Sequence, residues 1–341
     1  SAINFDYTLK EDAAFNSLKL IYEEQSSYDN AVESIEQFIE DYPQSVHIDY
    51  VKDLLIKAYT STKDFQTAVD KLSELSSMSL PQQQVYQKLS YYLAAEQFVS
   101  KRYQQSITWF DKSIKYPIDN KLFALAYYWK AEAYYQTKDY GNAIEYFKAF
   151  NIKDGSFLLE EYKQAHYSLA YTYYQSTKYK DAILWFRKFI SLSDDIQKQT
   201  DAYLRLGDAY YMTQDYSRAQ EFYGLAEESG AFDVDYAIHQ QIQCFGLTNH
   251  RVKKRTALRQ LISDYPKSLY NDDAMLNLST MYLNEDRQDE SVALLSDLIK
   301  KHPKSILVKT ALLKLGLNFY NESESDSAIY YFKSVIENYP N

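Results

Sequence analysis

The chain of 341 residues is 46% hydrophobic and 25% charged, and 37 Lys and Arg against 47 Asp and Glu leave a formal charge of −10. That composition belongs to a folded chain, and the acidic balance argues against general nucleic-acid binding, which needs a basic face to displace counterions from phosphate. With 36 Tyr but only 7 Gly and 6 Pro, and with 16% aromatics, the chain lacks the turn formers of an all-β fold and is too aromatic for a disordered one.

From the N-terminal end onward, apolar residues recur at three- and four-residue spacing, which predicts amphipathic helices throughout. Short polar breaks ending in an aromatic residue divide them into pairs: Ser26-Ser27-Tyr28, Lys63-Asp64-Phe65, Lys138-Asp139-Tyr140 and Gln214-Asp215-Tyr216. Nine units follow, over 12–48, 49–86, 87–123, 124–162, 163–199, 200–234, 235–271, 272–308 and 309–341. Each has a small residue as anchor in its second half: Ala31, Ala68, Ser106, Ala143, Ala182, Ala219, then Lys254, Ser291 and Ala328, at intervals of 35 to 39 residues. Lys254 makes the seventh unit the poor match. Four residues after each anchor stands a large apolar side chain, from Ile35 and Leu72 through Phe147 and Tyr223 to Phe332. Nine residues before each anchor stands an aromatic such as Tyr22, Tyr59, Tyr134, Tyr173, Tyr210 or Phe319, with Gln97 the exception. Small residues let paired helices approach closely, and the large side chains fill the space beside them. Unit ends are marked by Tyr42-Pro43, Tyr265-Pro266, His302-Pro303 and Tyr339-Pro340, the first three with Ser two residues after Pro. Pro stops the second helix and Ser is suited to cap the next. Segments 76–84 and 153–161, which carry a Pro or a Gly, are the predicted irregular joints.

Two units carry the pattern most fully. One reads Tyr203-x-x-Leu206-Gly207-x-x-Tyr210, then Ala219-x-x-x-Tyr223. The other reads Leu312-x-x-Leu315-Gly316-x-x-Phe319, then Ala328-x-x-x-Phe332, then Pro340. This pattern resembles the tetratricopeptide repeat (TPR) family. The resemblance covers the whole chain and implies an all-α fold, a right-handed α-α superhelix running as one continuous solenoid over 1–341. The Tyr-Pro-x-Ser punctuation is similar to that of bacterial cell-envelope TPR proteins, including outer-membrane lipoproteins of the barrel-assembly type. This similarity implies a periplasmic or outer-membrane-associated protein in an envelope complex, with the cytoplasm as the alternative. The chain starts at Ser1 without Met and its last unit ends at Pro340 with no polar capping helix. A fragment of a longer repeat protein is therefore expected, or else ends that pair with another chain.

The chemistry-bearing residues point to no reaction. His47, His166, His239, His250 and His302 show no metal-ligand spacing, and phosphate-cradling and nucleophile motifs are missing. The carboxylate pairs Glu23-Glu24 and Asp194-Asp195 read as helix-end or surface acids. No catalytic residue, metal or cofactor is expected. Cys244, the single cysteine, excludes an intrachain disulfide and reads as a small buried hydrophobe. No run of about 18 apolar residues predicts a membrane-spanning helix. The basic run Arg251-Val252-Lys253-Lys254-Arg255 reads as a solvated helix start, or as a docking patch for an acidic partner.

The family resemblance implies that the first helix of each unit lines a concave face. The side chains falling there begin with Tyr50, Asp53, Lys88 and Tyr91. The centre is Tyr128, Glu132, Tyr135, Tyr167, Tyr171 and Tyr174, continued by Asp201, Asp208 and Tyr211. Beyond it the stripe turns aliphatic with Leu276, Leu283, Leu313 and Leu317, then Tyr320. Tyrosine presents a large apolar face and a hydroxyl at low entropic cost. The expected site is thus a concave groove of Tyr91, Tyr128, Glu132, Tyr135, Tyr167, Tyr171, Tyr174, Asp208 and Tyr211. It would bind a protein or peptide segment, a basic one given Glu132 and Asp208. The Lys and Asn clamp by which some family members hold a terminal carboxylate is missing. Two other readings stand beside this one: the tyrosines simply fill the inside of a tight superhelix, or they stack on a sugar or other small ligand. Replacing Tyr128 or Tyr171 by Ala separates binding from packing, because only packing residues unfold the chain.

Overall fold

The computed structural model describes residues 2–23, 28–61 and 64–339. Ser26, Ser27, Lys63 and Pro340 of the sequence patterns, and Glu24 of the first carboxylate pair, lie outside them. Among the described residues there are eighteen α-helices and no strand. In chain order they are α1 (Ala2–Glu23), α2 (Tyr28–Asp41), α3 (Ile48–Ser61), α4 (Phe65–Ser73), α5 (Leu80–Val99) and α6 (Tyr103–Ile114). Next come α7 (Asn120–Gln136), α8 (Tyr140–Asn151), α9 (Glu161–Gln175), α10 (Tyr179–Leu192), α11 (Ile196–Met212) and α12 (Tyr216–Ser229). The last six are α13 (Val234–Leu247), α14 (Arg251–Asp264), α15 (Asn271–Leu283), α16 (Gln288–Lys301), α17 (Val308–Asn321) and α18 (Ser325–Asn338). Each predicted repeat supplies two of these helices. The chain forms two compact units, Ser1–Ser176 and Thr177–Asn341, and the boundary falls inside the fifth repeat.

The turns within the pairs share one backbone solution. Lys138 and Gln214 adopt left-handed φ of 61° and 64°. At the first, the amide of Asp139 reaches back to the Tyr134 carbonyl at 2.9 Å and that of Lys138 to the Tyr135 carbonyl at 2.9 Å. At the second, Asp215 and Gln214 do the same with Tyr210 and Tyr211. This is the Schellman pattern, which satisfies the last carbonyls of the first helix. The next residue starts the second helix: Asp139 accepts from the Asn142 amide at 3.2 Å and Asp215 from the Arg218 amide at 3.2 Å. One polar break therefore closes one helix and caps the next.

The anchor rule has an equally direct cause. Ala68, Ala143, Ala182 and Ala219 are fully buried, as are Leu72, Phe147 and Phe186 four residues on. At Gly207 an added Cβ would lie 2.5 Å from the Tyr223 ring, and at Gly316 2.7 Å from the Phe332 ring. The small residue on the first helix is the seat of the large one on the second. The aromatic nine residues before the anchor stacks on the side chain three after it: Tyr134 on Tyr146 at 5.5 Å, Tyr210 on Phe222 at 5.4 Å and Phe319 on Tyr331 at 5.5 Å. In the seventh repeat the Lys254 side chain lies against Gly246. Ile238, Ile242, Phe245, Leu258 and Leu261 supply its core.

Between repeats the joints are held by buried amides. In the first unit the fully buried Gln87 donates to the Asp119 carbonyl at 2.9 Å and accepts from the Asp119 amide at 2.7 Å. In the second, the Asn271 side chain donates to the carbonyls of Leu261, Ile262 and Tyr265 at the end of α14. Ser45, Ser268 and Ser305, which follow the prolines, each accept the amide two residues on at 3.0 to 3.1 Å, just before the next helix. The two predicted irregular joints also have specific structures. Ser79 and Gln82 form a capping box ahead of α5, and Gly155, with φ of 76°, leads into a short 3-10 turn over Ser156–Leu158.

Candidate functional site

In the first unit, α7 packs against both α5 and α9, so three first helices stand side by side. Along them run Tyr91 on α5, Tyr128, Glu132 and Tyr135 on α7, and Tyr167, Tyr171 and Tyr174 on α9. Tyr128 is only 4% exposed. Its ring lies 5.1 Å from Trp129, 6.0 Å from Phe147 and 5.4 Å from Phe150. Tyr91, Tyr135, Tyr167, Tyr171 and Tyr174 are half-buried, as is Glu132. Tyr91 meets Phe110 edge-on at 5.7 Å and hydrogen-bonds Trp129. Tyr135 leans on Tyr140 at 5.9 Å, and Tyr167 meets Tyr171 at 4.9 Å.

The polar centre of this stripe is Glu132. The Ser168 hydroxyl of α9 donates to it at 2.6 Å, and Tyr128 hydrogen-bonds it from one turn away. Burial outweighs both hydrogen bonds and raises the Glu132 carboxyl above its ordinary range. Burial also raises the phenols of Tyr91 and Tyr128; the nearby Glu161 charge adds to both and the Glu132 charge to Tyr128. Both phenols are therefore neutral at physiological pH.

The second unit places its predicted residues differently. Asp208 on α11 is buried at 8% exposure. It accepts from Tyr223 at 2.8 Å, from Tyr236 at 2.7 Å and from Arg205 at 2.5 Å. Its charge is taken up inside the repeat, and Asp201 likewise faces Arg205 at 3.6 Å. Tyr211 is half-buried against Tyr216 at 5.4 Å. On α17, Leu313, Leu317 and Tyr320 are 38%, 53% and 68% exposed and continue the predicted aliphatic stripe.

Side chains outside that stripe read simply. His166 is buried, with Nδ1 2.9 Å from the Tyr162 carbonyl oxygen. Cys244 is fully buried, and burial pushes its thiol up to about 12. Among the described residues no three His, Cys, Asp or Glu side chains stand close enough to hold a metal ion. None of their helices is long and apolar enough to cross a membrane. Sequence reasoning missed Lys130, which is 2% exposed on α7. It bonds the Asp111 carboxylate and the Tyr146 hydroxyl, and its Nζ sits 3.9 Å from the Tyr146 ring centre. A charged residue at a core register position was the available signal.

Three segments, 20–45, 273–305 and 310–341, match the family model described as tetratricopeptide repeat. The last two coincide with the pairs α15–α16 and α17–α18 built above. Those three segments are tetratricopeptide repeats, and the chain resembles the TPR family. Residues 121–286 also match the family model described as outer membrane lipoprotein. Among solved structures, the Naa15/Naa10 complex bound to HypK-THB is similar at a TM-score of 0.54 and 14% identity, over 97% of this chain and 52% of that one. YrrB, described as a TPR protein with an unusual peptide-binding site, is similar at a TM-score of 0.45 and 19% identity, over 59% of this chain and 96% of that one. Among curated proteins none matches the chain. Families of this kind are generally non-enzymatic protein-interaction modules, and the coarse function that goes with the repeats is that of a protein-interaction scaffold.

Proposed function

We propose that this chain is a non-enzymatic scaffold that holds a peptide or protein segment against the inner first helices of its repeats. The observation that carries the reading is the ladder of half-buried tyrosines, Tyr91, Tyr135, Tyr167, Tyr171 and Tyr174, in the first unit. Tyr91 also packs on Phe110, and Tyr135, Tyr167, Tyr171 and Tyr174 stand outside the repeat's consensus positions. Together they offer aromatic faces and hydroxyl groups along α5, α7 and α9, with Glu132 and Glu161 beside them. In the second unit, Tyr211 is a half-buried tyrosine of the same kind on α11. A segment with basic or amide side chains fits this lining best. Tyr128 contributes by holding the ladder in place, and Asp208 by fixing α11 and α13. The lipoprotein-family match over 121–286 supports a place in a bacterial envelope complex, on the periplasmic side or at the outer membrane.

Capture from cross-linked envelope extracts compared between wild type and a Tyr167→Ala/Tyr171→Ala double variant tests this reading. Partner recovery is expected to fall at least about tenfold, equivalent to roughly 1.4 kcal/mol, with the melting temperature little changed. Undiminished recovery would sink the proposal. Saturable quenching of Trp129 fluorescence by a glycan, abolished in the same variant, would favour a carbohydrate ligand instead. Fractionation of cells carrying the full-length gene checks the compartment.

A further inference from the structure

A second surface lies in the second unit and shares no residue with the tyrosine ladder. Between α10 and the start of α12 lies a cleft of about 700 Å³, also lined by Tyr210 of α11 and by Thr213 and Asp215 of the turn after it. Lys180, Arg187 and Lys188 line one wall and Arg218 the other. Asp215 is the one carboxylate in the lining, and it lies 3.3 Å from Arg218. Lys180 and Arg187 are exposed and have no ion-pair partner among the described residues. Lys188 rests its ammonium 4.1 Å from the Trp185 ring centre, and its charge has no carboxylate partner there. The floor is apolar: Leu184 is 50% exposed at its middle, with the buried Tyr210 beneath.

Such a concentration of cations is out of character for a chain of net charge −10. At physiological ionic strength the Debye length is about 8 Å, so a docked group feels the four local cations far more than the remote acidic surface. Lys180, Leu184, Arg187, Lys188 and Ser191 follow one another at helical spacing along one face of α10. They span roughly 16 Å, or three turns. An apolar floor flanked by cations over that length matches an amphipathic helix with acidic edges and a Leu-like spine lying in the groove.

We propose that the α10–α12 cleft docks an acidic amphipathic segment of a partner protein. The contact is separate from the tyrosine ladder, so one chain holds two partner segments of opposite charge preference.

The test is fluorescence anisotropy of a fluorescein-labelled peptide of about fifteen residues with Leu at helical spacing and Glu on both flanks. It is titrated with the full chain at low and physiological salt. Saturable binding is expected, weakening steeply with salt and at least about tenfold in a Lys180→Glu/Arg187→Glu variant. Both replaced side chains are exposed, so the variant's circular dichroism and melting temperature are expected to match wild type. Should these change, Lys180→Gln/Arg187→Gln serves with the same expectation of weakened binding. A peptide with every Glu replaced by Gln is expected not to bind, and Tyr167→Ala/Tyr171→Ala is expected to leave affinity unchanged. Equal binding by the Gln peptide, indifference to the charge reversal, or loss of affinity in the tyrosine variant would each overturn the proposal. Tighter binding of a duplex oligonucleotide through Lys180 and Arg187 would overturn it too, by assigning the cleft to phosphate.

Discussion

Gly207 and Tyr223 show how a repeat consensus reduces to two atoms in contact. The Tyr223 ring, 1% exposed and tethered through its hydroxyl to Asp208, has nowhere to move. Gly207→Ala is therefore expected to destabilise the second unit by about 1–3 kcal/mol, the cost of overpacking a filled core, read as a lowered urea midpoint. Glu132 supports a second prediction at the same scale. Its folded-state carboxyl sits above the ordinary value of 4.5 because burial disfavours the charge. As pH rises past that ordinary value, the unfolded chain loses its proton first, so the native state binds more protons and stability falls. The loss continues until pH passes the raised folded-state value. Glu132→Gln is expected to remove this downward slope above about pH 4.5, and thermal melts across pH 4 to 8 check it. A variant with an unchanged slope would place the titrating group elsewhere.

Among the elements, the tight turns within pairs repeat most faithfully. Lys101, Lys138, Gln214, Asn249, Asp286 and Ser323 all take left-handed φ in the turn just past the first helix of a pair. A side chain there costs roughly 1–2 kcal/mol relative to the right-handed region, and glycine is the usual occupant. Gln214→Gly is expected to stabilise the α11–α12 pair by about 0.5–1 kcal/mol, part of the relief being offset by the freer unfolded chain. Chemical denaturation measures it, and a lower midpoint would count against the strain argument. These turns explain how a chain with so few glycines makes so many helix reversals: the cost is accepted at each turn and covered by packing. Of the seven glycines, Gly207 and Gly316 are reserved for close approach, and Gly155 and Gly230 for positive φ.

For the molecule as a whole, contacts run mainly between helices adjacent in the chain and, in α5–α7 and α7–α9, between successive first helices. Such an array has nearest-neighbour energetics. Hydrogen exchange on Gly207→Ala is expected to show lost protection in α11, α12 and the helices next to them in the second unit, fading with distance along the chain. Uniform loss across that unit would show instead that it unfolds as one block.

The helix pairs, their polar turns and the anchor positions were legible in the amino-acid sequence because each rests on local periodicity and on small and large residues at fixed spacing. In the seventh repeat Phe245 and Leu258 keep the spacing that Lys254 breaks, and both are buried. The inner-face residues were legible only as positions. Register put Tyr128 and Tyr171 on the same stripe, but it could not tell that Phe147 and Phe150 enclose Tyr128 while Tyr171 stays half-open. It put Asp208 beside Glu132 in a common acidic centre, whereas Arg205, Tyr223 and Tyr236 converge on Asp208 from three directions. Nor did it reveal the cations that α10 and α12 bring together across α11. Sequence periodicity determined the all-α repeat architecture, because helix formation and pairing are local. Only the tertiary structure decided which side chains are spent on packing and which remain for a partner, because burial and charge compensation depend on neighbours far away in the chain.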